Sequence, residues 1–279
     1  KITAAGMFAS LAEAMPRRRH PVFDCIVVDE AQDIGVQQLR FLAAMAGNRA
    51  NALFFAGDLG QRIFQTPFSW KSLGVDVCGR SRTLNINYRT SHQIRSRADR
   101  LLDPEISDVD GNAESRKGTI SVFNGPDPAI CSYADAGAEC QAVGAWLQQC
   151  SASGVSPQEI GVFVRSGSEL PRAQAAVKAA GLQGRVLGKD MATQEGFVSI
   201  ATMHLAKGME FRVVAVMACD DEIIPSQARI DTATDEAELT EIYNTERQLL
   251  YVACTRARDR LHVSAVKPGS EFLEDLLQK

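Results

Sequence analysis

Three carboxylates follow a short apolar run near the start of the sequence. Residues 25–28 (CIVV) are followed at once by Asp29 and Glu30, and Asp33 comes three residues later. Such a run is typical of a strand buried on both faces of a parallel sheet, and ligands bind at the carboxyl ends of these strands. There Asp29 could hold Mg²⁺ and Glu30 could polarise an attacking water. The alternative is a helix cap, because acidic residues in a first turn complement the helix dipole.

A second apolar run, residues 52–56, also ends in a polar stretch. It continues as GDLGQ (residues 57–61), in which Asp58 and the glycines suit a sharp turn at a strand end. Gln61 could sense a terminal phosphate or orient water. This second stretch favours a nucleotide site over the helix cap.

Three more stretches follow in order: LNINYRTS (84–91), SIATMHLAKGMEF (199–211) and ERQLLYVACTRARDRL (246–261). Together, the five stretches resemble the motifs of the UvrD/Rep family of superfamily 1 DNA helicases. VVDEAQD resembles the family's Walker B motif, and GDLGQRIF resembles the coupling motif that follows it. NYR resembles the arginine motif at the domain junction, and the last two stretches resemble motifs of the second RecA-like domain. Any one match would be weak, but five in order make a chance origin very improbable.

The resemblance implies a site for ATP and Mg²⁺. Arg89 and Arg256 would reach the γ-phosphate from the second domain, where fixed guanidinium groups stabilise a transferring phosphoryl group. Taken singly, each arginine would be interpreted first as part of a surface salt bridge, and only the set of motifs reverses that preference. The other implied residues are Asp29 (Mg²⁺ ligand), Glu30 (catalytic base), Gln61 (γ-phosphate sensor), Tyr88 (stacking on adenine), and Gly208 and Glu210 (beside the ribose).

The resemblance also implies contacts to single-stranded or 3′-tailed duplex DNA. Thr202 and His204 match positions near the backbone of the translocating strand, although His204 could instead couple the ATP and DNA sites. An aromatic residue after the coupling motif would stack on bases, and the candidates are Phe64 and Trp70. Trp70 is farther from Gln61 than the family pattern places it. Phe64, Phe68 and Trp70 could instead all pack in a core.

Apolar runs alternate with amphipathic segments, which predicts an α/β fold of parallel sheets flanked by helices. The resemblance makes this fold RecA-like, the type of P-loop NTPases. Residues 1–85 would be the C-terminal part of a first RecA-like domain, and residues 86–279 a second one without a large accessory insertion. The polar stretch 103–118 is predicted to be a loop or linker. Strands are predicted at 25–28, 52–56, 119–123, 160–164, 197–202, 213–218 and 261–265, and helices at 36–46, 135–150, 166–182 and 237–257.

The phosphate-cradling loop G-x-x-x-x-G-K-[ST] is not found in the sequence. The near match GRVLGKD (184–190) has three residues between its glycines and Asp190 in place of Ser or Thr, so we interpret it as a turn. Without this loop, and without an initiator methionine, the chain is expected to be an internal part of a longer protein. We expect it not to turn over ATP appreciably by itself.

The composition is that of an ordinary globular protein, with 279 residues, 45% hydrophobic and 23% charged. The net charge of −4 means that any nucleic-acid site must be a local groove. The scattered cysteines, without a C-x-x-C pair, predict reduced thiols in a cytoplasmic protein. The favoured function is an ATP-dependent DNA helicase or translocase with 3′→5′ movement. The alternatives are a helicase-like binding or scaffold module without ATPase activity and an RNA-directed enzyme of the same superfamily.

Overall fold

The structure, a computed structural model, describes residues 2–18, 20–58, 61, 68–103, 105–107, 109–111, 113–115, 118–188 and 192–278. The chain divides into two units. Unit 1 contains Lys1–Thr83 and Glu105–Lys117, and unit 2 contains Leu84–Pro104 and Gly118–Lys279. No helix in these residues is long and apolar enough to cross a membrane.

The elements are numbered in chain order. The helices are α1 (Ala4–Ala14), α2 (Val36–Ala46), α3 (His92–Ala98), α4 (Ala136–Ala152), α5 (Leu170–Ala179), α6 (Gln227–Ile230), α7 (Glu236–Thr255) and α8 (Phe272–Leu277). The strands are β1 (Ile26–Val28), β2 (Leu53–Phe55), β3 (Ile86–Asn87), β4 (Glu105–Ser107), β5 (Ala113–Ser115), β6 (Ile120–Ser121), β7 (Ala129–Tyr133), β8 (Ile160–Val164), β9 (Gly184–Val186), β10 (Val198–Thr202), β11 (Phe211–Val216) and β12 (Ala257–Val266).

Unit 1 is built around a parallel pair of strands, β1 and β2, in which Ile26 pairs with Leu53 and Val28 with Phe55. Alternate side chains of these strands pack on a small apolar core that includes Leu39. The opposite face leaves Val27 70% and Phe54 61% exposed. The prediction that these strands are buried on both faces is therefore wrong for β1 and β2, because only one face packs against the described core.

The prediction of a loop or linker at 103–118 is also wrong. Strands β4 and β5 pair antiparallel, with Glu105 opposite Ser115 and Ser107 opposite Ala113. The hairpin 105–115 belongs to unit 1, although the segments on both sides of it belong to unit 2.

Unit 2 contains a parallel sheet of six strands in the order β7-β12-β11-β8-β10-β9. Helices α4 and α5 cover it, and their apolar residues form one core with the central strands. Every residue of β8 is buried, as expected for a strand covered on both faces. The predicted α/β fold with a parallel sheet flanked by helices is confirmed.

Local signals account for some of the element ends in unit 2. Asp135 caps α4 by accepting the Ala138 N–H at 2.8 Å, and Asp235 caps α7 by accepting the Glu238 N–H at 2.8 Å. The interpretation of 184–190 as a turn is wrong for its first residues, because Gly184–Val186 forms the edge strand β9, paired with β10.

The cysteines are free thiols, and Cys140, Cys150, Cys219 and Cys254 are buried. Burial raises the pKa of Cys254 to about 12 and raises that of Cys219 well above its ordinary value. Thiols with raised pKa values are poor nucleophiles and poor metal ligands.

Candidate nucleotide and DNA sites

The acidic pair in unit 1 follows directly after β1. Asp29 and Glu30 are both exposed. Glu30 has a φ of 52°, in the left-handed region that residues other than glycine adopt infrequently. The Glu30 N–H donates to Asp29 Oδ1 at 2.8 Å, and the next amide, of Ala31, donates to the Ala56 carbonyl at 2.9 Å. The turn thus stays attached to the end of β2 while it presents both carboxylates to solvent.

Gln32 joins the acidic pair to the coupling motif. Its Nε2 donates to Glu30 Oε2 at 2.5 Å, and its Oε1 accepts the Asp58 N–H at 3.0 Å. Gln61 Nε2 in turn donates to Asp58 Oδ2 at 2.8 Å. A Cβ atom at Gly57 would lie 2.4 Å from Gln32 Oε1, so only glycine leaves room for this bridge. The sequence analysis did not single out Gln32, and its place inside VVDEAQD was the available signal.

Mg²⁺ is compatible with the carboxylates in this position. Among the described residues, no group of three or more His, Cys, Asp or Glu side chains could enclose a metal ion. Mg²⁺ needs no such cage, because it keeps several waters and takes one or two carboxylates together with substrate phosphates. Asp29 is exposed at a strand end, and its carboxylate is a suitable ligand of this kind.

The aromatic residues after the coupling motif are partly accounted for by packing. Phe68 and Trp70 lie against the core of unit 1, and the Trp70 ring meets the Phe55 ring edge to face at 4.8 Å between centroids. For these two residues the structure favours the packing alternative, and base stacking by Trp70 stays a prediction. Phe64 lies outside the described residues.

In unit 2, the two predicted arginines converge on one backbone acceptor. Arg89 Nη2 and Arg256 Nη1 both donate to the Met209 carbonyl, the latter at 3.4 Å. Arg89 Nε lies 3.0 Å from Glu210 Oε2, an ion pair whose angle falls outside hydrogen-bond geometry. Arg256 is only 2% exposed, and its Nε donates to the Val252 carbonyl at 3.1 Å. Two guanidinium groups are therefore fixed side by side.

The Arg89 segment is held by an Asn side chain and by the start of β12. Asn87 Oδ1 accepts the N–H groups of Arg89 at 2.8 Å and Thr90 at 3.1 Å. The Ser91 N–H donates to the Arg258 carbonyl at 3.1 Å. Asn87 was not identified from the sequence, although Asn is the residue type that commonly bonds backbone N–H groups two residues ahead.

The other predicted nucleotide contacts lie around this pair of arginines. Tyr88 is 72% exposed, so its ring is accessible for stacking. Gly208 has a φ of 77° in the turn before Met209, a conformation that favours glycine. Glu210 follows that turn and precedes β11 directly.

The predicted DNA contacts in unit 2 lie at the carboxyl ends of the sheet strands, whereas Glu210 and Arg256 lie at the amino ends. Thr202 ends β10, and His204 follows in a short 3₁₀ turn. Beside them, Arg165 donates to both carboxylate oxygens of Glu246, at 2.6 and 2.5 Å, and Arg229 Nη1 lies 2.9 Å from Glu246 Oε1. Burial, and next the charge of Arg165, lower the pKa of His204. The sequence analysis did not identify this cluster of Arg165, Arg229 and Glu246, because the three residues are far apart in the sequence.

The strand order explains the separation of these two sites within unit 2. Arg165 and His204 follow the carboxyl ends of β8 and β10, whereas Glu210 and Arg256 precede the amino ends of β11 and β12. Because all four strands are parallel, the two sites are separated by about one strand length, ~17–20 Å. Helix α7 carries Glu246 at one site, and Arg256 directly follows it at the other.

Two family models match the chain. The UvrD/REP helicase N-terminal domain matches residues 3–69, and the UvrD-like helicase C-terminal domain matches residues 174–268. The first match contains Asp29, Glu30 and Gln61, and the second contains His204, Glu210 and Arg256.

Curated relatives agree with these matches. The ATP-dependent DNA helicase UvrD1 of Mycobacterium tuberculosis is 37% identical over 95 residues, which is 30% of this chain and 11% of UvrD1. UvrD2 of the same organism, also named an ATP-dependent DNA helicase, is 29% identical over 185 residues, which is 64% of this chain and 25% of UvrD2. The matched part is thus at most a quarter of either relative's length.

One solved structure, the C-terminal domain of a possible DNA helicase from Lactobacillus plantarum, has a TM-score of 0.47 at 23% identity. The match covers 68% of this chain and 94% of that domain, and the likeness is weak. The two family models and the curated relatives agree with the ordered motifs, and the chain belongs to the UvrD/Rep-like family of helicases.

Proposed function

We propose that the chain is part of an ATP-dependent DNA helicase or translocase that moves 3′→5′ on single-stranded DNA. The observation that carries the proposal is the convergence of Arg89 and Arg256 on the Met209 carbonyl, with Glu210 beside them. Two fixed guanidinium groups suit the charge that spreads over the equatorial oxygens of a transferring phosphoryl group. The curated relatives named above, both ATP-dependent DNA helicases, support the same activity.

In unit 1 we assign Asp29 to Mg²⁺ and Glu30 to the attacking water. Bound Mg²⁺ would neutralise charge on the β- and γ-phosphates. The Gln32 amide donates to Glu30 Oε2 and so orients that carboxylate. Gln61, held by Asp58 in the same network, is suited to sense the γ-phosphate. This assignment makes residues 1–85 the C-terminal part of a first RecA-like domain.

In unit 2 the exposed ring of Tyr88 would stack on adenine, while Gly208 and Glu210 would approach the ribose. Residues 86–279, apart from the segment 105–117 that belongs to unit 1, are then a second RecA-like domain. Its arginines make hydrolysis depend on the arrangement of the two domains, which is how hydrolysis can be converted into movement.

The DNA strand is assigned to the carboxyl ends of the strands in the unit 2 sheet, at Thr202 and His204. Either single-stranded or 3′-tailed duplex DNA presents the phosphates that this site requires. Phe64 and Trp70 are the assigned base-stacking candidates in unit 1.

The 279 residues contain no phosphate-cradling loop, so we assign that loop to a segment outside them. The chain alone is then expected to hydrolyse ATP negligibly with or without DNA. A longer protein that contains this chain and the loop should hydrolyse ATP, and single-stranded DNA should stimulate it.

Two measurements test the proposal. Anisotropy of a fluorescein-labelled oligothymidine should report binding to the chain that weakens with salt. Thr202→Ala and His204→Ala should weaken this binding, whereas the exposed-site controls Thr240→Ala and His20→Ala should not. In the longer protein, Glu30→Gln and Arg89→Ala should each abolish stimulated hydrolysis.

Unchanged turnover in Glu30→Gln or Arg89→Ala would refute the assigned roles. DNA binding without any ATP hydrolysis in the longer protein would favour a helicase-like scaffold module. Preferential binding to an RNA oligonucleotide would favour an RNA-directed enzyme.

A further inference from the structure

The hairpin 105–115 connects the two units a second time. The chain passes from unit 1 to unit 2 after Thr83, returns to unit 1 at Glu105 and enters unit 2 again at Gly118. The hairpin is therefore continuous with α3, which begins three residues after Arg89, and with β6. A polar stretch that merely linked two elements of unit 2 would not need to join unit 1.

The tip of the hairpin is fixed by one carboxylate. Asp110 Oδ1 accepts from Ser69 Oγ at 2.5 Å, and Oδ2 accepts the N–H groups of Trp70 at 2.7 Å and Lys71 at 3.0 Å. Ser69 Oγ also accepts the Ser72 N–H at 3.0 Å. These donors belong to the start of a 3₁₀ turn, Lys71–Leu73, whose first N–H groups have no partner within the turn itself. Asp110 satisfies them across some 40 residues of sequence.

The charge of Asp110 strengthens this attachment. The hydrogen bond from Ser69, followed by that from the Lys71 backbone, lowers the pKa of the Asp110 carboxyl. Asp110 is therefore ionised at neutral pH, and bonds to an ionised acceptor are stronger than neutral ones. Asparagine at this position could keep its oxygen toward the two backbone donors and its NH2 group toward Ser69 Oγ, but it would lose the charge.

Contacts lead from this turn to the acidic site of unit 1. The Trp70 ring packs edge to face against Phe55, the last residue of β2. Beyond Phe55 the chain reaches Asp58, whose N–H donates to Gln32, and Gln32 donates to Glu30. The hairpin tip and the proposed catalytic base are thus joined by an unbroken series of contacts within unit 1.

We propose that the hairpin 105–115 is a clasp in which Asp110 positions Trp70 and, through Phe55, the polar end of β2. Asp110 is a positioning residue, since it is bonded to the Trp70 turn and not to the proposed nucleotide. The effect of the clasp on hydrolysis rests on the function proposed above, whereas its effect on Trp70 does not. The hairpin is joined through the chain to the segment that carries Arg89, and the Asp110 hydrogen bonds attach it to the turn that follows Gln61 in the sequence.

The chain's two tryptophans allow a direct test on the chain itself. In a Trp146→Phe background, Trp70 is the sole tryptophan, and its emission maximum and acrylamide quenching report its surroundings. Asp110→Ala should shift the emission to longer wavelength and raise the quenching constant about twofold or more. Asp110→Asn should do the same to a smaller extent. Asp103→Asn, which removes the same charge from an exposed position before the hairpin, should change neither.

Circular dichroism shows whether each variant is folded, and Asp110→Glu provides a second variant that keeps the charge but displaces it. Identical Trp70 emission and quenching in folded Asp110→Ala and its parent would overturn the clasp. If Asp110→Ala unfolds unit 1, the comparison of Asp110→Glu with Asp110→Asn decides, and the clasp is overturned if Trp70 is unaltered in both.

The functional consequence is measured in the longer protein. Asp110→Ala should lower kcat of the DNA-stimulated hydrolysis about tenfold with little change in the KM for ATP. A changed Trp70 signal with unchanged kcat would confine the clasp to a structural role and overturn its part in hydrolysis. Absence of hydrolysis in the unsubstituted protein would refute the proposed function, and the fluorescence result would still decide the clasp.

Discussion

Arg89 and Arg256 share one acceptor but differ in burial, so truncating them should have different effects on stability. Arg256 is 2% exposed, while the Arg89 side chain is 36% exposed. We predict that Arg256→Ala destabilises unit 2 strongly and that Arg89→Ala does so only slightly.

The magnitude follows from what each substitution removes. Truncating a large, buried apolar side chain to alanine typically costs ~2–5 kcal/mol, partly through the cavity that remains, and loss of the buried methylene groups of Arg256 would leave such a cavity. The carbonyls that lose Arg256 keep other donors, because Met209 still accepts from Arg89 and Val252 still accepts from Thr255 Oγ1. We therefore expect about 3 kcal/mol for Arg256→Ala. For the half-exposed Arg89 we expect less than about 1 kcal/mol.

Urea unfolding monitored by Trp146 measures both values. Trp146 packs against the core of unit 2, and a Trp70→Phe background makes it the sole reporter. Arg256→Lys keeps most of the buried chain length and should lie between the wild type and Arg256→Ala. Equal unfolding midpoints for Arg89→Ala and Arg256→Ala would refute the reasoning. Arg256→Lys is accordingly the better variant for testing activity, since a loss in Arg256→Ala could reflect unfolding.

Three further predictions concern groups that the structure brings into view. Burial lowers the pKa of His262 to about 4, below its ordinary value of 6.5. The unfolded chain therefore binds a proton more readily than the folded one, and the free energy of unfolding should fall by roughly 3 kcal/mol as the pH falls from 6.5 to 4. Urea unfolding between those pH values measures this dependence, and His262→Asn should abolish it. Glu246→Ala leaves the buried charge of Arg165 without its carboxylate and should cost ~3–5 kcal/mol in the same assay, and a cost below about 1 kcal/mol would exclude a structural role for the pair. Gly57→Ala should displace the Gln32 amide, which NMR of its side-chain N–H groups would report, while Trp146-monitored stability stays unchanged; an unaltered Gln32 resonance would contradict the bridge.

The central strands of unit 2 could be predicted from the sequence because burial on both faces produces continuous apolar runs. Strand β8 is such a run, and every residue in it is buried. The edge strand β9 and the hairpin strands β4 and β5 have no such signature, since backbone pairing holds them. The reach of Asp110 to the Trp70 turn depends on tertiary structure, which no local pattern reports.

The proposed site shows the same division between what side-chain types reveal and what they do not. The arginine and acidic residues could be identified because their motifs occur in a fixed order along the chain. The shared acceptor of the two arginines could not be identified, because it is the backbone carbonyl of Met209, which any residue would supply.

The parallel sheet also adds a constraint that the motif order does not contain. The rule that ligands bind at the carboxyl ends of strands fits Thr202 and His204, but the Arg89 and Arg256 pair lies at the amino ends. The DNA contacts and the nucleotide contacts on unit 2 would therefore lie at opposite ends of the strands of one sheet. Glu246 lies in α7 and Arg256 directly follows the helix, so the two residues are ten positions apart, about 15 Å along the helix axis. Since Glu246 is buried against Arg165 and Arg256 is itself buried, a displacement at either end must move α7 as a whole or break a buried contact. We therefore predict that α7 couples the two ends of the sheet, and that Glu246→Ala and Arg256→Lys each weaken the stimulation of hydrolysis by DNA in the longer protein; unchanged stimulation in both variants would contradict this prediction.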